Sequence, residues 1–375
     1  MRAKTLATTI LAIISSASFA SLAPFARAQE RDTTAPQIEN ARLEKRALSR
    51  PLNAEVKRWA EQAAQPQWLG YAVPQVAGDH NMCCGDYNGS GRGYCGNCRL
   101  EGSDNGNNVH TTQSKNGTAK LEGPRYLAVL FRAENKHVMK IRTVSEDCTL
   151  DAGGLPFLWL SNVKPAESVE LLESFVRGAD LDSREAEETG HAALTAIAMH
   201  ADASADRAME ALAKPDQPSS LRRQVAFWFG AARGKAGLAA LQNMAKHDPS
   251  ADLRAQVTFA LSVSHEPGAL DEMIRMAHDD ESTHVRGQAL FWLAQKAGNK
   301  AVGTITKAIE NDPDTDVKTK AVFALSQLPK DEGVPKLIEV AQTNRNAEVR
   351  KQAMFWLGQS HDPRALAFFE KVLSQ

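Results

Sequence analysis

The sequence predicts a mainly α protein: an α-solenoid of about six 32-residue helix pairs, preceded by a small β-rich, cysteine-containing domain. Three observations carry this. A ten-residue pattern returns at even intervals, starting at Leu221, Leu253, Val285, Val317 and Val349. Strand and turn patterns crowd between residues 67 and 162. Four of the five cysteines fall between Cys83 and Cys98, and none lies in the C-terminal half.

The chain has 375 residues, 43% apolar, 24% charged and 6% aromatic, with 24 Gly and 16 Pro. That balance excludes the disordered, collagen-like and membrane-embedded classes. Lys+Arg is 44 against 45 Asp+Glu, so no basic excess points to nucleic acid. Residues 1–28 read as a signal peptide: Arg2 and Lys4 open it, Leu6 to Phe19 is small or apolar, and Ala26-Arg27-Ala28 is a cleavage pattern. Ser18-Phe19-Ala20 is an earlier alternative. Thr8, Thr9, Ser15, Ser16 and Ser18 break the run short of the ~20 apolar residues a spanning helix needs. Losing this segment removes three basic residues and no acid, which leaves a net charge of −4. The expectation is an exported protein, periplasmic or secreted, with no membrane span and cysteines in an oxidising compartment.

Residues 29–66 read as a polar, partly helical lead, with a helix from Ala54 to Ala64. The β-rich domain spans 67–162. Leu69 to Val73 is a strand stopped by Pro74. Asn116-Gly117 between Val109–Ser114 and Thr118–Leu121 signals one hairpin. Glu134-Asn135-Lys136 between Tyr126–Arg132 and His137–Val144 signals another. Residues 84–108 read as an irregular Gly/Asn-rich loop. Residues 163–188 hold an entry helix, Glu167 to Val176, whose Val169, Leu172, Phe175 and Val176 are placed to cap the solenoid.

The cysteines form the pattern His80-x2-Cys83-Cys84-x10-Cys95-x2-Cys98, with Cys148 further on. Compartment favours structural disulfides among Cys83, Cys84, Cys95, Cys98 and Cys148. One scheme joins the Cys95/Cys98 pair and Cys148 to Cys83 and Cys84, because adjacent cysteines rarely bond each other. The pairing stays open among 15 possibilities. A tetrahedral zinc site drawn from His80, Cys83, Cys84, Cys95 and Cys98 is the competing reading. Arg99 after Cys98 excludes covalent haem attachment, which needs His there. Asp86-x-Asn88-x-Ser90-Gly91 imitates a calcium loop, but Asn97 stands where a bidentate Glu is required. Gly89 to Gly93 lacks the Lys-Ser/Thr and helix start of a phosphate loop. Glu146, Asp147 and Asp151 have no partner base and read as turn or capping acids. No cofactor is expected.

From 189 to 375 the repeat takes over. LRRQVAFWFG at Leu221 returns as LRAQVTFALS at Leu253, VRGQALFWLA at Val285, VKTKAVFALS at Val317 and VRKQAMFWLG at Val349. A worn copy begins at Thr189. Apolar offsets of 0, 4, 7 and 8 define one helix face. Leu238, Leu241 and Met244 and their mates define a second helix. Asp216, Asp248, Asp280, Asp312 and Asn344 separate the units, often beside Pro. Such a pair cannot bury its apolar side alone, so units must stack.

The run from Asp312-Pro313 through Val317-Lys318 to Ala321, Ala324 and Leu325 resembles HEAT repeats, most closely the short ones shared with phycobiliprotein lyases. That resemblance covers about half the chain. It implies a binding scaffold in most members and a lyase in a few.

Three columns recur. Phe227, Phe259, Phe291, Phe323 and Phe355 read as core packing between units first and as the lining of a ligand groove second; truncation of a buried one to Ala would cost ~3–5 kcal/mol. Arg222, Arg254, Arg286, Lys318 and Arg350 read as a ladder bonding the inter-unit Asp of a nearby repeat. Trp228, Trp292 and Trp356 alternate with Ala260 and Ala324. They read as interdigitated packing first and as partner-binding residues second. Phe368, at an otherwise polar position, is either a folded-back cap or a partner contact, homotypic contact included. With no nucleophile–base–oxyanion set in view, the expected function is non-catalytic protein–protein recognition through the solenoid's inner face. The alternatives are a metal- or thiol-active cysteine domain and a lyase-type enzyme.

Overall fold

The computed structural model describes residues 35–78, 80, 82, 97–101, 124–177, 181, 183 and 186–374. The 1–28 segment, the Asn116-Gly117 hairpin, the calcium-like loop, and Cys83, Cys84 and Cys95 lie outside the described residues.

The lead is partly helical, as read, but it also supplies two strands. β1 (Gln37–Glu39) and β2 (Arg42–Ala47) precede helix α1 (Leu52–Glu61). β2 runs along the sheet margin with its side chains exposed, and its Arg and Lys residues carry no apolar alternation for a sequence reading to detect. Then come β3 (Gln67–Pro74), β4 (Asn97–Arg99), β5 (Tyr126–Glu134), β6 (His137–Ser145), β7 (Thr149–Asp151) and β8 (Pro156–Ser161). The main sheet has the order β2-β8-β3-β5-β6, and a small parallel sheet has the order β1-β7-β4. The β5–β6 turn holds Asn135 at φ 53° and Lys136 at φ 67°, the left-handed pair a tight two-residue hairpin demands.

Alternation along the strands splits the core. Leu69, Tyr71, Val129, Phe131 and Leu158 face one side, towards α1 and helix α2 (Pro165–Val176), which begins on Pro165. Trp68, Leu130, Phe157 and Trp159 face the other side, where the small sheet contributes Leu150, Cys98 and Cys148. The sheet is thus covered on both faces.

A π-helical turn (Glu187–His191) leads into α3 (Ala192–Met199), the first solenoid helix, paired with α4 (Ala203–Leu212). The further pairs are α5 (Ser219–Ala232) with α6 (Gly234–His247), and α7 (Ala251–Val263) with α8 (Gly268–Asp279). After them come α9 (Thr283–Ala297) with α10 (Val302–Asn311), α11 (Thr315–Ser326) with α12 (Lys330–Thr343), and α13 (Ala347–Gln359) with α14 (Pro363–Leu373). The six pairs match the register read from sequence. The hydrophobic core runs without a break from the sheet through α2 into α3 and on to Phe368. Main-chain bonds seal the junction: Val76 N donates to Met199 O at 2.9 Å, and Ala201 N to Pro74 O at 2.9 Å.

The charged ladder forms at three of the five expected bases, while Lys318 and Arg350 donate to main-chain carbonyls. Arg222 pairs with Asp248, and Arg254 reaches Asp280 at 2.9 and 3.1 Å. Arg286 reaches Asp312 at 2.8 and 3.0 Å. Arg254 and Arg286 each also donate through Nη1 to the carbonyl of the preceding inter-unit Asp, at 2.8 and 2.9 Å. The column has a second task. Oδ1 of Asp248, Asp280, Asp312 and Asn344 accepts the backbone N–H two residues on, each at 2.9 Å. Asn344 retains that turn but has no charge to offer, and the base at the matching position of the preceding unit is Lys318, not Arg. Lys318 donates to Glu310 O at 3.0 Å instead. Arg254→Met should leave Asp280 buried and uncompensated and destabilise the chain by about 3–5 kcal/mol in urea titration. Lys318→Arg with Asn344→Asp should install a further rung, and a double-mutant cycle should return a favourable coupling of about 1 kcal/mol.

Candidate functional site

The first helices of successive units, α5, α7, α9, α11 and α13, pack directly on one another, whereas the second helices meet only sparsely. The first-helix layer therefore lies on the inner side of the stack. Gly230 allows one such approach, since a Cβ there would stand 2.0 Å from the carbonyl oxygen of Ala260. In each of these helices, offsets 0, 4 and 8 point into the core: Leu221, Val225 and Phe229 are buried. The Phe column, at offset 6, lies on the opposite side.

The reading of that column as core is therefore corrected. Phe227, Phe259, Phe291 and Phe323 are only half-buried, and Phe355 is 53% exposed. The rings do pack between units, but against each other at the surface. Phe227 stacks on Phe259 with centroids 6.0 Å apart and planes 16° from parallel. Phe291 and Phe323 repeat this at 5.8 Å and 4°. Trp292 lies between the two pairs, 4.8 Å from Phe259 and 4.9 Å from Phe291. Trp356 lies likewise between Phe323 (4.9 Å) and Phe355 (5.0 Å), and Trp228 meets Phe227 edge-on at 5.2 Å. The three Trp are half-buried and rest on the core. Eight rings thus form one continuous ribbon, and the small Ala260 and Ala324 belong to the units in which Phe meets the next unit's Trp.

Beside the ribbon runs a column that the sequence reading did not single out: Gln224, Gln256, Gln288, Lys320 and Gln352, each one helical turn before its Phe. Gln256, Gln288 and Gln352 are half-buried and make no side-chain hydrogen bond among the described residues. The unit-by-unit comparison that revealed the Phe column could have revealed these too. The surface so formed is aromatic and amide-rich. Because the stacked Phe faces are turned to each other, the ribbon offers ring edges and the clefts between them more than flat platforms.

Phe368 is only 6% exposed and packs 5.7 Å from Phe369, so it folds back as a cap and is removed from the partner-contact residues. Leu366, Val372 and Leu373 of the same helix are the exposed apolar side chains there.

In the β region Cys98 and Cys148 are fully buried in one cluster. Sγ of Cys148 lies 3.4 Å from Met82 O. Among the described residues no group of three His, Cys, Asp or Glu side chains could hold a metal ion, and His80 is engaged through its carbonyl with Gln75 at 2.7 Å. Asp151 and Glu146 bond turn N–H groups: Asp151 accepts from Gly153 at 2.9 Å, and Glu146 from Arg125 at 3.2 Å. No helix among the described residues is long and apolar enough to cross a membrane.

One Ser–His contact escaped the sequence reading, because its members are far apart in the chain, Ser168 on α2 and His200 just past the end of α3. His200 Nε2 and Ser168 Oγ are 2.8 Å apart, and Ser168 Oγ is also 2.8 Å from the Tyr71 hydroxyl. All three residues are fully buried at the sheet–solenoid junction. Nδ1 of His200 donates to Ala196 O at 2.6 Å, so Nε2 is left as the acceptor and the ring is neutral. Burial pushes the Tyr71 hydroxyl pKa up and the His200 imidazole pKa down to about 4. With no surface opening onto it, this group is a structural clasp.

The sequence profile of a family described as HEAT repeats matches residues 302–375. Similar solved structures include a chain of the CpcE–CpcF complex of phycocyanin lyase from Nostoc sp. It is 21% identical, covers 41% of this chain and 99% of that one, and has a TM-score of 0.32. Human deoxyhypusine hydroxylase is 15% identical over 55% of this chain and 90% of its own, at 0.30. Kap121p is 15% identical over 52% of this chain and 25% of its own, at 0.32. No curated protein matches the chain. The chain is a mainly α, HEAT-like solenoid with an N-terminal β-rich region.

The His200 clasp gives a pH test. Its folded pKa is lowered from 6.5 to about 4, so stability is complete above pH 6.5 and falls as the pH drops towards 4. Denaturant titrations from pH 7 to 4 should lose up to about 3 kcal/mol, and His200→Gln should flatten that slope.

Proposed function

We propose that this chain is a non-catalytic protein-binding scaffold whose inner aromatic ribbon holds an extended segment of a partner polypeptide. The observation that supports it is the ribbon itself: eight linked rings, half-exposed, bordered by Gln256, Gln288 and Gln352, which have no side-chain hydrogen bond among the described residues. Extended backbone needs amide groups to pair with, and its apolar side chains need clefts. Mutually stacked Phe rings with edges outward supply such clefts. At about 10 Å between neighbouring helix axes, five units extend roughly 40 Å, the length of about 12 extended residues. Aromatic anchors of this kind commonly carry most of an interface's energy.

The reading places the protein outside the cytoplasm, on the signal-like pattern of residues 1–28. Disulfide bonding of the cysteine cluster belongs to it, supported by the burial of Cys98 and Cys148 in one cluster. N-terminal sequencing of the exported protein should begin at Gln29 or Ser21; a retained Met1 would sink the export part. Pairing of two copies through α14 is a second element, supported by the exposed Leu366, Val372 and Leu373.

Fluorescence anisotropy with labelled neutral peptides of about 12 residues, rich in Leu, Val and Pro, tests the main claim. Binding should weaken at least about tenfold in the Phe227→Ala/Phe259→Ala variant, with a cooperative melt retained. Peptide binding that ignores those two substitutions, or none at all, would overturn the reading.

A further inference from the structure

Three helix C-termini, spaced two units apart, share one construction. α3 ends at Met199, α7 at Val263 and α11 at Ser326, and the next unit's first helix carries Trp228, Trp292 or Trp356 at one register position. At the first, Arg233 Nη1 donates to the carbonyls of Ala198 (3.0 Å) and His200 (2.6 Å). At the second, Lys296 Nζ donates to the carbonyls of Ser262 (2.9 Å) and Ser264 (2.6 Å). These carbonyls correspond residue for residue, and the two cations come from adjacent register positions. A helix end leaves carbonyls without N–H partners and carries partial negative charge, so a cation there satisfies both.

At the third end the cation is missing. The corresponding carbonyls are those of Ser326 and Leu328, and the positions of Lys296 and Arg233 are taken by Ser360 and His361. Among the described residues no side chain donates to either carbonyl. In place of a cation there is a cavity of about 180 Å³, lined by Ser326, Leu328, Ser360, Trp356 and Lys330 among others. Trp356 Nε1 is buried with no hydrogen-bond partner. The second and third sites otherwise share their local fold: Ser262 and Ser326 hydroxyls donate to Phe259 and Phe323 carbonyls at 2.7 and 2.6 Å.

We propose that this cavity receives a lysine side chain of the bound partner, its ammonium donating to the Ser326 and Leu328 carbonyls as Lys296 does one double-repeat earlier. The inference rests on the polypeptide-binding reading above and names a specificity pocket within it. Trp356 supplies an aromatic wall for the alkyl stem and charge. Lys330 is a like charge at the site, while the nearby Asp362 is paired with Arg364 at 2.8 Å. Trp356 also ends the ribbon's last pair, so the pocket sits next to the proposed peptide path.

The test follows the Trp356 indole N–H resonance in full-length protein labelled at tryptophan, assigned through Trp356→Phe. N-acetyl-lysine N-methylamide should shift it saturably. The norleucine analogue, equal in stem but without charge, should bind about tenfold more weakly. Ser360→Lys should abolish the response and raise the melting temperature, since it recreates the plug of the second site. Equal responses to both ligands, or none to lysine, would overturn the assignment. So would a lysine response that appears only in Lys330→Ala, which would make Lys330 the occupant. The Phe227→Ala/Phe259→Ala variant lies outside the cavity. An intact lysine response together with peptide binding that ignores those substitutions would sink the ribbon reading and leave the pocket standing.

Discussion

The inter-unit carboxylate is the constraint on which the stack depends. One Asp does two things at once: Oδ1 closes the turn between units, and the carboxylate receives the Arg from the first helix of the preceding unit. Both tasks are satisfied only when the helices between them have fixed lengths. That is a physical reason for five copies without an insertion. The ladder is buried, so each Arg must find all its acceptors inside the protein, and the carbonyls at the preceding helix end provide the rest. Where both partners soften together, at Lys318 and Asn344, the turn survives and the ion pair does not.

With the core-facing stripe fixed by that register, the opposite side of the first-helix layer is free to carry function. Its chemistry differs from an ordinary solvated face, having aromatic rings and amides where charges are usual. Pairing of Phe with Phe within a double repeat, and insertion of Trp between double repeats, doubles the period of the stack. The same doubled period governs the cations at the helix ends, so ribbon and pocket are two expressions of one pattern.

The β region closes the solenoid's first end. An open stack exposes an apolar face at each terminus. Here α2 and one side of the main sheet cover the first, and the Tyr71–Ser168–His200 clasp satisfies the polar groups that become buried in doing so. At the other terminus Phe368 folds inward, while α14 leaves Leu366, Val372 and Leu373 in the open. The two ends are therefore covered unequally.

The solenoid was legible from sequence because repetition multiplies a weak signal: each column of Leu, Asp or Arg is seen several times, and local periodicity sets helix faces directly. The Tyr126–Val144 hairpin and α2 were legible for a similar local reason, a turn signal or a Pro start beside apolar alternation. Strands β1 and β2 were not, because an exposed edge strand has no buried side to imprint a pattern on the sequence. The burial of the Phe column was misjudged for a subtler reason. An aromatic side chain repeated in register signals packing, but offset 6 lies across the helix from the buried offsets 0, 4 and 8, so these rings pack along the surface. Sequence alone thus determined the unit, its length and its order. Tertiary structure decided how the outward rings stack from unit to unit, which distant residues clasp the junction, and which helix end lacks its cation, because those depend on distances between segments that local periodicity does not encode.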